Sequence, residues 1–337
     1  MRQYKKIVVT GTSGFLGSRV AKFLPTVFIG ATILATSRKS DKKLALEQAG
    51  CIFIPGDLAD AAFCQQILAG ADAVVHCAAL SSPWGKREDF EKANVTATQN
   101  LLQAAIAEKV SRFVFISTPS IYFNYTDRFL ISEQEPLPSR MVNEYAATKL
   151  KAERLVLAAN SDILETVALR PRAIIGAEDT VIFPRVLKAY QENKLVIIGS
   201  GTNKGDITCV RNVIEAIVCS LNAQKQVMGQ AYNVSNDEPV VLWEVLNNLL
   251  QQLGLKPVTR KLPYWIVMTA AWITEQRYKW FRPNEEPPIT QHGIGSLARS
   301  MTMDISLAKK NLGYKPVQST QEGINEFIEW YKSQKTV

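Results

Sequence analysis

The segment Ile7-Val8-Val9-Thr10-Gly11-Thr12-Ser13-Gly14-Phe15-Leu16-Gly17 restricts what this chain can fold into more than any other stretch of it. A β-branched apolar run reads as a buried strand, and the glycines at 11, 14 and 17 lead from it into a helix start. Gly11 permits a tight turn, Gly14 lets a ligand approach the backbone, and Gly17 allows helix and strand to pack closely. The N-terminus of that helix offers free N–H groups and the positive end of its dipole, which suit a pyrophosphate. Strand, glycine turn and helix in this order are the layout of a dinucleotide site, with Ser13, Phe15 and Leu16 completing the turn.

Further apolar runs at Ala31 to Ser37, Cys51 to Ile54, Ala73 to Cys77, Phe113 to Ser117 and Val167 to Arg170 alternate with longer amphipathic segments. Such alternation implies right-handed crossovers and a parallel sheet covered on both faces. The expected fold is therefore α/β, a Rossmann-type doubly wound parallel sheet with a smaller, mainly helical C-terminal substrate lobe. Residues 1–170 read as the dinucleotide-binding domain and 171–337 as mainly the substrate lobe, with strands near 205–234, Ala231 to Val234 above all, returning to the first. Within the second part, Pro184 to Tyr190 and Leu242 to Leu253 have helical spacing, and Gly199 to Gly205 reads as a glycine-rich turn.

At 337 residues the chain exceeds the size at which one core stops growing, and no low-complexity linker divides it. Its formal charge of +8 is dispersed, without an aromatic-interleaved basic stripe, so no nucleic-acid partner is expected. The five cysteines show no pairing pattern and no His partners at ligand spacing, so reduced thiols and no metal site are expected. An apolar run close behind Met1 leaves no room for a signal peptide, and cytoplasm is the expected location. The run from Tyr264 to Ile273 is about half of the ~20 residues a membrane span needs.

Tyr145 and Lys149 stand at i and i+4 in Tyr145-Ala146-Ala147-Thr148-Lys149, on one helical face. A cation there is expected to lower the phenol's pKa, making Tyr145 a usable general acid or base. The same spacing recurs at Tyr190/Lys194 and Tyr331/Lys335, but both pairs lie beyond the last strand of the cofactor half. Tyr145 follows a strand whose end carries Ser117-Thr118-Pro119-Ser120. In an open parallel sheet the strand C-termini line the ligand crevice, so a hydroxyl there can bond a substrate oxygen. After the second strand the chain reads Thr36-Ser37-Arg38-Lys39, where an NAD site would place an acidic residue. Arg38 can clamp a 2′-phosphate, so NADP is expected ahead of NAD.

Taken together, these stretches resemble the extended short-chain dehydrogenases/reductases of the epimerase/dehydratase superfamily, in their 3β-hydroxysteroid dehydrogenase-like branch, over nearly the whole length. Ser117 to Ser120, Tyr145 to Lys149 and Ser82-Pro83-Trp84-Gly85 most resemble bacterial 2-alkyl-3-oxoalkanoate reductases. The resemblance implies that Asp57-Leu58, Cys77-Ala78-Ala79, Asn94, Ser117 and Pro171 meet the cofactor. It makes Thr118 the hydroxyl partner of Tyr145 and has Lys149 hold the ribose. Ala97 replaces a family glycine, and Cys209-Val210-Arg211-Asn212 lacks the expected aspartate. The implied activity interconverts a secondary alcohol and a ketone on a β-keto or β-hydroxy acid or a sterol-like lipid, with Ser82, Trp84, Thr118 and Arg172 on the substrate side. Trp265, Ile266, Met268, Trp272 and Trp280 are expected to wall an apolar cavity, with peripheral membrane contact as another use. A homodimer fits as well. The rivals are a nucleotide-sugar epimerase or dehydratase and a non-catalytic NAD(P)-binding regulator. His76 and His292 are expected to be structural.

Overall fold

The computed structural model describes residues 2–283 and 285–335. Seven strands form its central sheet: β1 (Lys6–Thr10), β2 (Thr32–Ser37), β3 (Cys51–Pro55), β4 (Ala73–His76), β5 (Arg112–Ile116), β6 (Glu165–Pro171) and β7 (Ala231–Val234). They run parallel in the order β7-β6-β5-β4-β1-β2-β3, so the crevice at the order reversal opens beyond the C-terminal ends of β1 and β4. Both faces are apolar because successive side chains alternate. Ile7, Val9, Val75, Val114 and Val167 enter one core, while Val8, Val74, Phe113, Phe115 and Ala168 enter the other.

Helices α1 (Phe15–Val27), α2 (Ala97–Ala107), α3 (Glu144–Ala158) and α4 (Val210–Asn222) cover the sheet, and α5 (Tyr264–Phe281) belongs to the smaller lobe. Val20, Ala21 and Leu24 of α1 share a core with Val213 and Ile217 of α4. Leu101 and Ala105 of α2 share the opposite core with Ala152 and Val156 of α3. Pro25 lies inside α1 and has no N–H, which frees the Ala21 carbonyl; the Cys51 thiol donates to it at 3.2 Å.

The smaller lobe combines helices with a four-stranded sheet made of Arg128–Ile131, Lys204–Gly205, Val240–Val241 and Met301–Met303. The glycine-rich stretch expected to be only a turn thus ends in a strand, where Gly205 pairs with Met301 and Val240. A second correction concerns α5. Trp265, Trp272 and Trp280 are 69%, 52% and 80% exposed, and the line turned inward is Val267, Ala271 and Glu275. The orientation has a polar cause. The Glu275 carboxylate accepts the backbone N–H and the side-chain amide of Gln291 at 2.7 and 2.6 Å, which holds that face against the lobe. The tryptophans expected to wall a cavity therefore face outward. Among the described residues no helix is long and apolar enough to cross a membrane.

Candidate active site

Gly11 has φ +74°, and a Cβ there would lie 2.6 Å from the Ala78 backbone nitrogen. A Cβ at Gly17 would lie 2.4 Å from the Gly11 carbonyl oxygen. Both glycines are thus required by close approach, and the first also by its conformation. Gly14 precedes α1 without a capping side chain, and no acidic residue occupies the first turn, so the N–H groups at Phe15 and Leu16 face no competing carboxylate. This cradle fits the phosphates of a dinucleotide. Lys42, which the sequence reading missed, brings its ammonium 3.4 Å from the Gly14 carbonyl and pairs with Glu178. Its only sequence signal was the basic run around it.

The strand end after β4 is fastened to this turn by a directional chain of hydrogen bonds. Ala78 N–H donates to the Thr10 hydroxyl at 3.2 Å, and Thr10 meets His76 Nδ1 at 2.7 Å. His76 Nε2 meets the Thr98 hydroxyl at 3.0 Å, and Thr98 donates to the Asn94 carbonyl. Since Thr98 uses its proton on Asn94, His76 Nε2 carries hydrogen and Nδ1 accepts from Thr10. Burial, with Lys149 nearby, pushes His76 down to about 3, so the ring stays neutral and structural. The Asn94 side chain accepts from Leu80 N–H at 2.7 Å and donates to the Thr148 hydroxyl at 3.0 Å. Asn94 thereby ties the loop after β4 to α3. It stands in a π-helical turn, Glu91–Thr96, a distortion frequent at functional sites.

Asn143 caps α3 by accepting from Ala146 N–H at 2.9 Å, which starts the helix at Glu144 and puts Tyr145 in its first turn. Ile116 stands opposite Leu169, so Thr118 and Pro171 follow on neighbouring strand ends. Thr118 is in extended backbone, and its hydroxyl accepts from Ser120 N–H. The Thr118 hydroxyl donates to Ser120 Oγ at 3.1 Å, and Thr118 is the side chain that acts on the Tyr145 phenol to lower its pKa, so phenol and strand-end hydroxyl are neighbours. The Ser117 hydroxyl, buried beside them, has no hydrogen-bond partner among the described residues.

One electrostatic expectation is corrected. Burial raises the Tyr145 phenol above its ordinary value, and the influence that lowers it is the Thr118 side chain. Lys149 lies one turn on, but its ammonium is drawn toward the sheet. It donates to the Ile116 carbonyl at 2.5 Å and sits 3.9 Å from the centre of the Phe115 ring. Burial pushes Lys149 down to about 7, opposed by Glu153 and Cys77. The carboxylate of Glu153 is in turn held by Arg170 Nε and Nη2 at 2.9 and 2.5 Å, and Arg170 also donates to the Tyr122 hydroxyl. No sequence pattern announced this buried group beneath the Tyr145/Lys149 pair.

A pH dependence of stability follows. Because the folded-state pKa of Lys149 is about 7 against an ordinary value of 10.5, the unfolded chain binds more protons between those values, and burial of this amine opposes folding most below about pH 7. Lys149→Met is expected to raise the denaturation midpoint most at about pH 6, with the gain shrinking by about pH 9. Midpoints at the two pH values check this; a gain that grows with pH would contradict it.

The remaining predicted residues are spread over several places. Arg38 follows directly on β2 and is exposed, and Asp57 follows β3, with its carboxylate accepting from Ala59 N–H at 3.0 Å. Leu58 is buried in the core under α2. Ser82 and Trp84 form a turn closed by the Ser82 hydroxyl, 2.6 Å from the Trp84 carbonyl. That hydroxyl also lies 3.4 Å from Glu286, and the Trp84 ring centre lies 6.0 Å from the Lys279 ammonium in α5. Arg172 lies against Gly205 of the small sheet, to whose Met301 sulfur it donates at 3.2 Å. Tyr190 ends its own helix in the smaller lobe, and the Lys335 side chain is outside the described residues.

Known proteins resemble this chain in sequence and fold. The model of the 3-beta hydroxysteroid dehydrogenase/isomerase family matches residues 8–264. The chain is 35% identical over 327 residues to the 2-alkyl-3-oxoalkanoate reductase of Shewanella oneidensis, covering 94% of this chain and 84% of that one. It is 30% identical over 317 residues to the 4-hydroxy-2-methyl-3-oxo-4-farnesyl-3,4-dihydroquinoline-1-oxide ketoreductase of Stigmatella aurantiaca, covering 94% of each. Among solved structures, MoeE5 in complex with UDP-glucose and NAD is similar, with a TM-score of 0.76 at 26% identity over 98% of this chain and 99% of that one. With its seven-stranded parallel sheet, the chain belongs to the 3-beta hydroxysteroid dehydrogenase/isomerase family and is an NAD(P)-dependent oxidoreductase of the extended short-chain dehydrogenase/reductase type.

Proposed function

We propose that the protein interconverts a ketone and a secondary alcohol on a β-keto or β-hydroxy acid, with Thr118, Tyr145 and Lys149 as its catalytic set. The observation that carries this reading is the Tyr145 phenol set beside the Thr118 side chain, which lowers it, at the C-terminal edge of the parallel sheet, with buried Lys149 one helical turn on. The names of the Shewanella reductase and the Stigmatella ketoreductase support the ketone chemistry, and the first supports the acid.

In the reductive direction Tyr145 gives its phenolic proton to the substrate oxygen, and Thr118 orients that oxygen by a second hydrogen bond. Lys149, whose ammonium burial brings near neutral pKa, holds a proton one turn away that can replace the one spent. The nicotinamide cofactor, when bound, supplies or takes the hydride. Gly11, Ser13, Gly14, Phe15, Leu16 and Gly17 would hold its pyrophosphate, with Asp57, Leu58, Cys77, Ala78, Ala79, Asn94, Ser117 and Pro171 along the strand ends. Five free thiols fit a cytoplasmic setting.

The test is a cofactor-absorbance assay against β-keto acids, sterols and nucleotide sugars. Oxidation of the reduced cofactor by β-keto acids is expected; turnover of a nucleotide sugar alone would replace this reading with an epimerase.

NADP is the preferred cofactor on this account, because exposed Arg38 follows the end of β2 where an acidic ribose ligand would stand. Arg38→Asp is expected to weaken NADP binding at least about tenfold more than NAD binding, since it removes a fork that fits a phosphate and adds a repelling charge. Titration of both cofactors decides it; an unmutated protein that prefers NAD would refute the assignment.

A further inference from the structure

Buried polar atoms in folded proteins are nearly always paired, so a cluster of unpaired ones asks for a ligand. Such a cluster sits where the central sheet meets the smaller lobe. Arg172 Nε, both polar atoms of the Asn203 amide and Asp206 Oδ1 are buried without a hydrogen-bond partner among the described residues. Asn203 is only 7% exposed.

The three residues converge through the strand Lys204–Gly205. A Cβ on Gly205 would lie 3.3 Å from Arg172 Nη2, so the absence of a side chain there is what admits the guanidinium. Asn203 and Gly205 are buried and Lys204 between them is exposed, which puts the Asn203 side chain on the face that meets Arg172. Asp206 feels the Arg172 charge, and its other oxygen is held by Met303 N–H at 2.5 Å. Arg172 follows directly on Pro171 at the end of β6, and β6 pairs with β5, whose end leads to Thr118.

We propose that Arg172 and Asn203 form a binding site for the substrate's carboxylate, two carbons from the carbon that Tyr145 and Thr118 address. This deepens the reading under Proposed function and rests on it. The guanidinium supplies the charge, and the Asn203 amide supplies a neutral donor that fixes orientation. The guanidinium of Arg172 donates to the weak thioether acceptor of Met301, and the carboxylate that acts on it is Asp206. Burial, with Arg172 nearby, pushes His292 down to about 4, which leaves that ring neutral, and burial pushes the Asp206 carboxyl up to about 6, which weakens its hold on the guanidinium. A diphosphate would face a single guanidinium, whereas one carboxylate matches it.

The experiment compares a β-keto acid with the ketone of equal chain length that lacks the carboxyl group. Both are assayed with the unmutated protein, Arg172→Met and Asn203→Asp, with thermal unfolding as the folding control. The unmutated protein is expected to prefer the acid, and Arg172→Met to lower that preference at least about 30-fold, mainly through KM, as loss of a charge-assisted contact should. Asn203→Asp should lower it too, by placing a like charge against the carboxylate. Arg172→Met also takes the nearby cation from buried Asp206, so it is expected to melt lower, and both ketones are assayed well below its unfolding midpoint. An acid preference unchanged in both variants would overturn the clamp while leaving the ketone chemistry standing. Turnover of neither ketone, with turnover of a nucleotide sugar, would overturn the functional reading itself.

Discussion

Tyr145→Phe is expected to lower turnover by about 10²-fold or more while changing cofactor affinity by less than about twofold. The phenol is the proton donor beside Thr118, and removing one oxygen leaves the ring, the helix and the glycine turn in place. Tyr190→Phe is the matched control. Tyr190 closes the helix Phe183–Gln191 and packs on the core of the smaller lobe, away from the strand ends that carry Thr118 and Pro171. Single-turnover rates and cofactor titrations of both variants measure the effect, and equal losses from the two would show that the site lies elsewhere.

Arg170→Met is expected to destabilise the fold by about 3–5 kcal/mol, the range for breaking a buried ion pair by deleting one partner. Arg170 and Glu153 form a bidentate pair with both side chains buried, and the pair joins α3 to β6. Without the guanidinium, Glu153 remains buried with Lys149 as the nearby cation named in its electrostatics. The same substitution should therefore raise the Lys149 pKa and shift the pH profile of turnover upward. Denaturant unfolding measures the first effect and a pH–rate profile the second. A loss under about 1 kcal/mol, within the range of exposed pairs, would mean that the pair is not the fastening described here.

What could be read from the sequence was what depends on local rules. The glycine turn follows from backbone geometry, and at Gly11 the structure adds the reason, an approach to Ala78 that no side chain could tolerate. The Tyr145/Lys149 spacing follows from the helical period, and the hydroxyl strand end from strand length. The electrostatics of that pair could not be read in the same way. Spacing says that two groups share a face, not that the amine will turn to the Ile116 carbonyl and the Phe115 ring. The tryptophans of α5 show the same limit. Three Trp and two Ile in one helix read as a cavity wall, but Glu275, a polar residue with a partner in a later helix, decided which face turned inward. Asn203 and Asp206 were hidden in a glycine-rich stretch, since their importance rests on missing partners, a tertiary property with no sequence pattern.

The most direct test of the account follows a single atom. Purified protein is given a 2-alkyl-3-oxo acid and reduced cofactor deuterated at the transferable nicotinamide position, and the product is analysed by mass spectrometry and NMR. The account predicts a β-hydroxy acid with one deuterium on the carbinol carbon, formed by the unmutated protein and lost with Tyr145→Phe. An unlabelled acid together with turnover of a nucleotide sugar, or a product whose formation survives Tyr145→Phe, would contradict it.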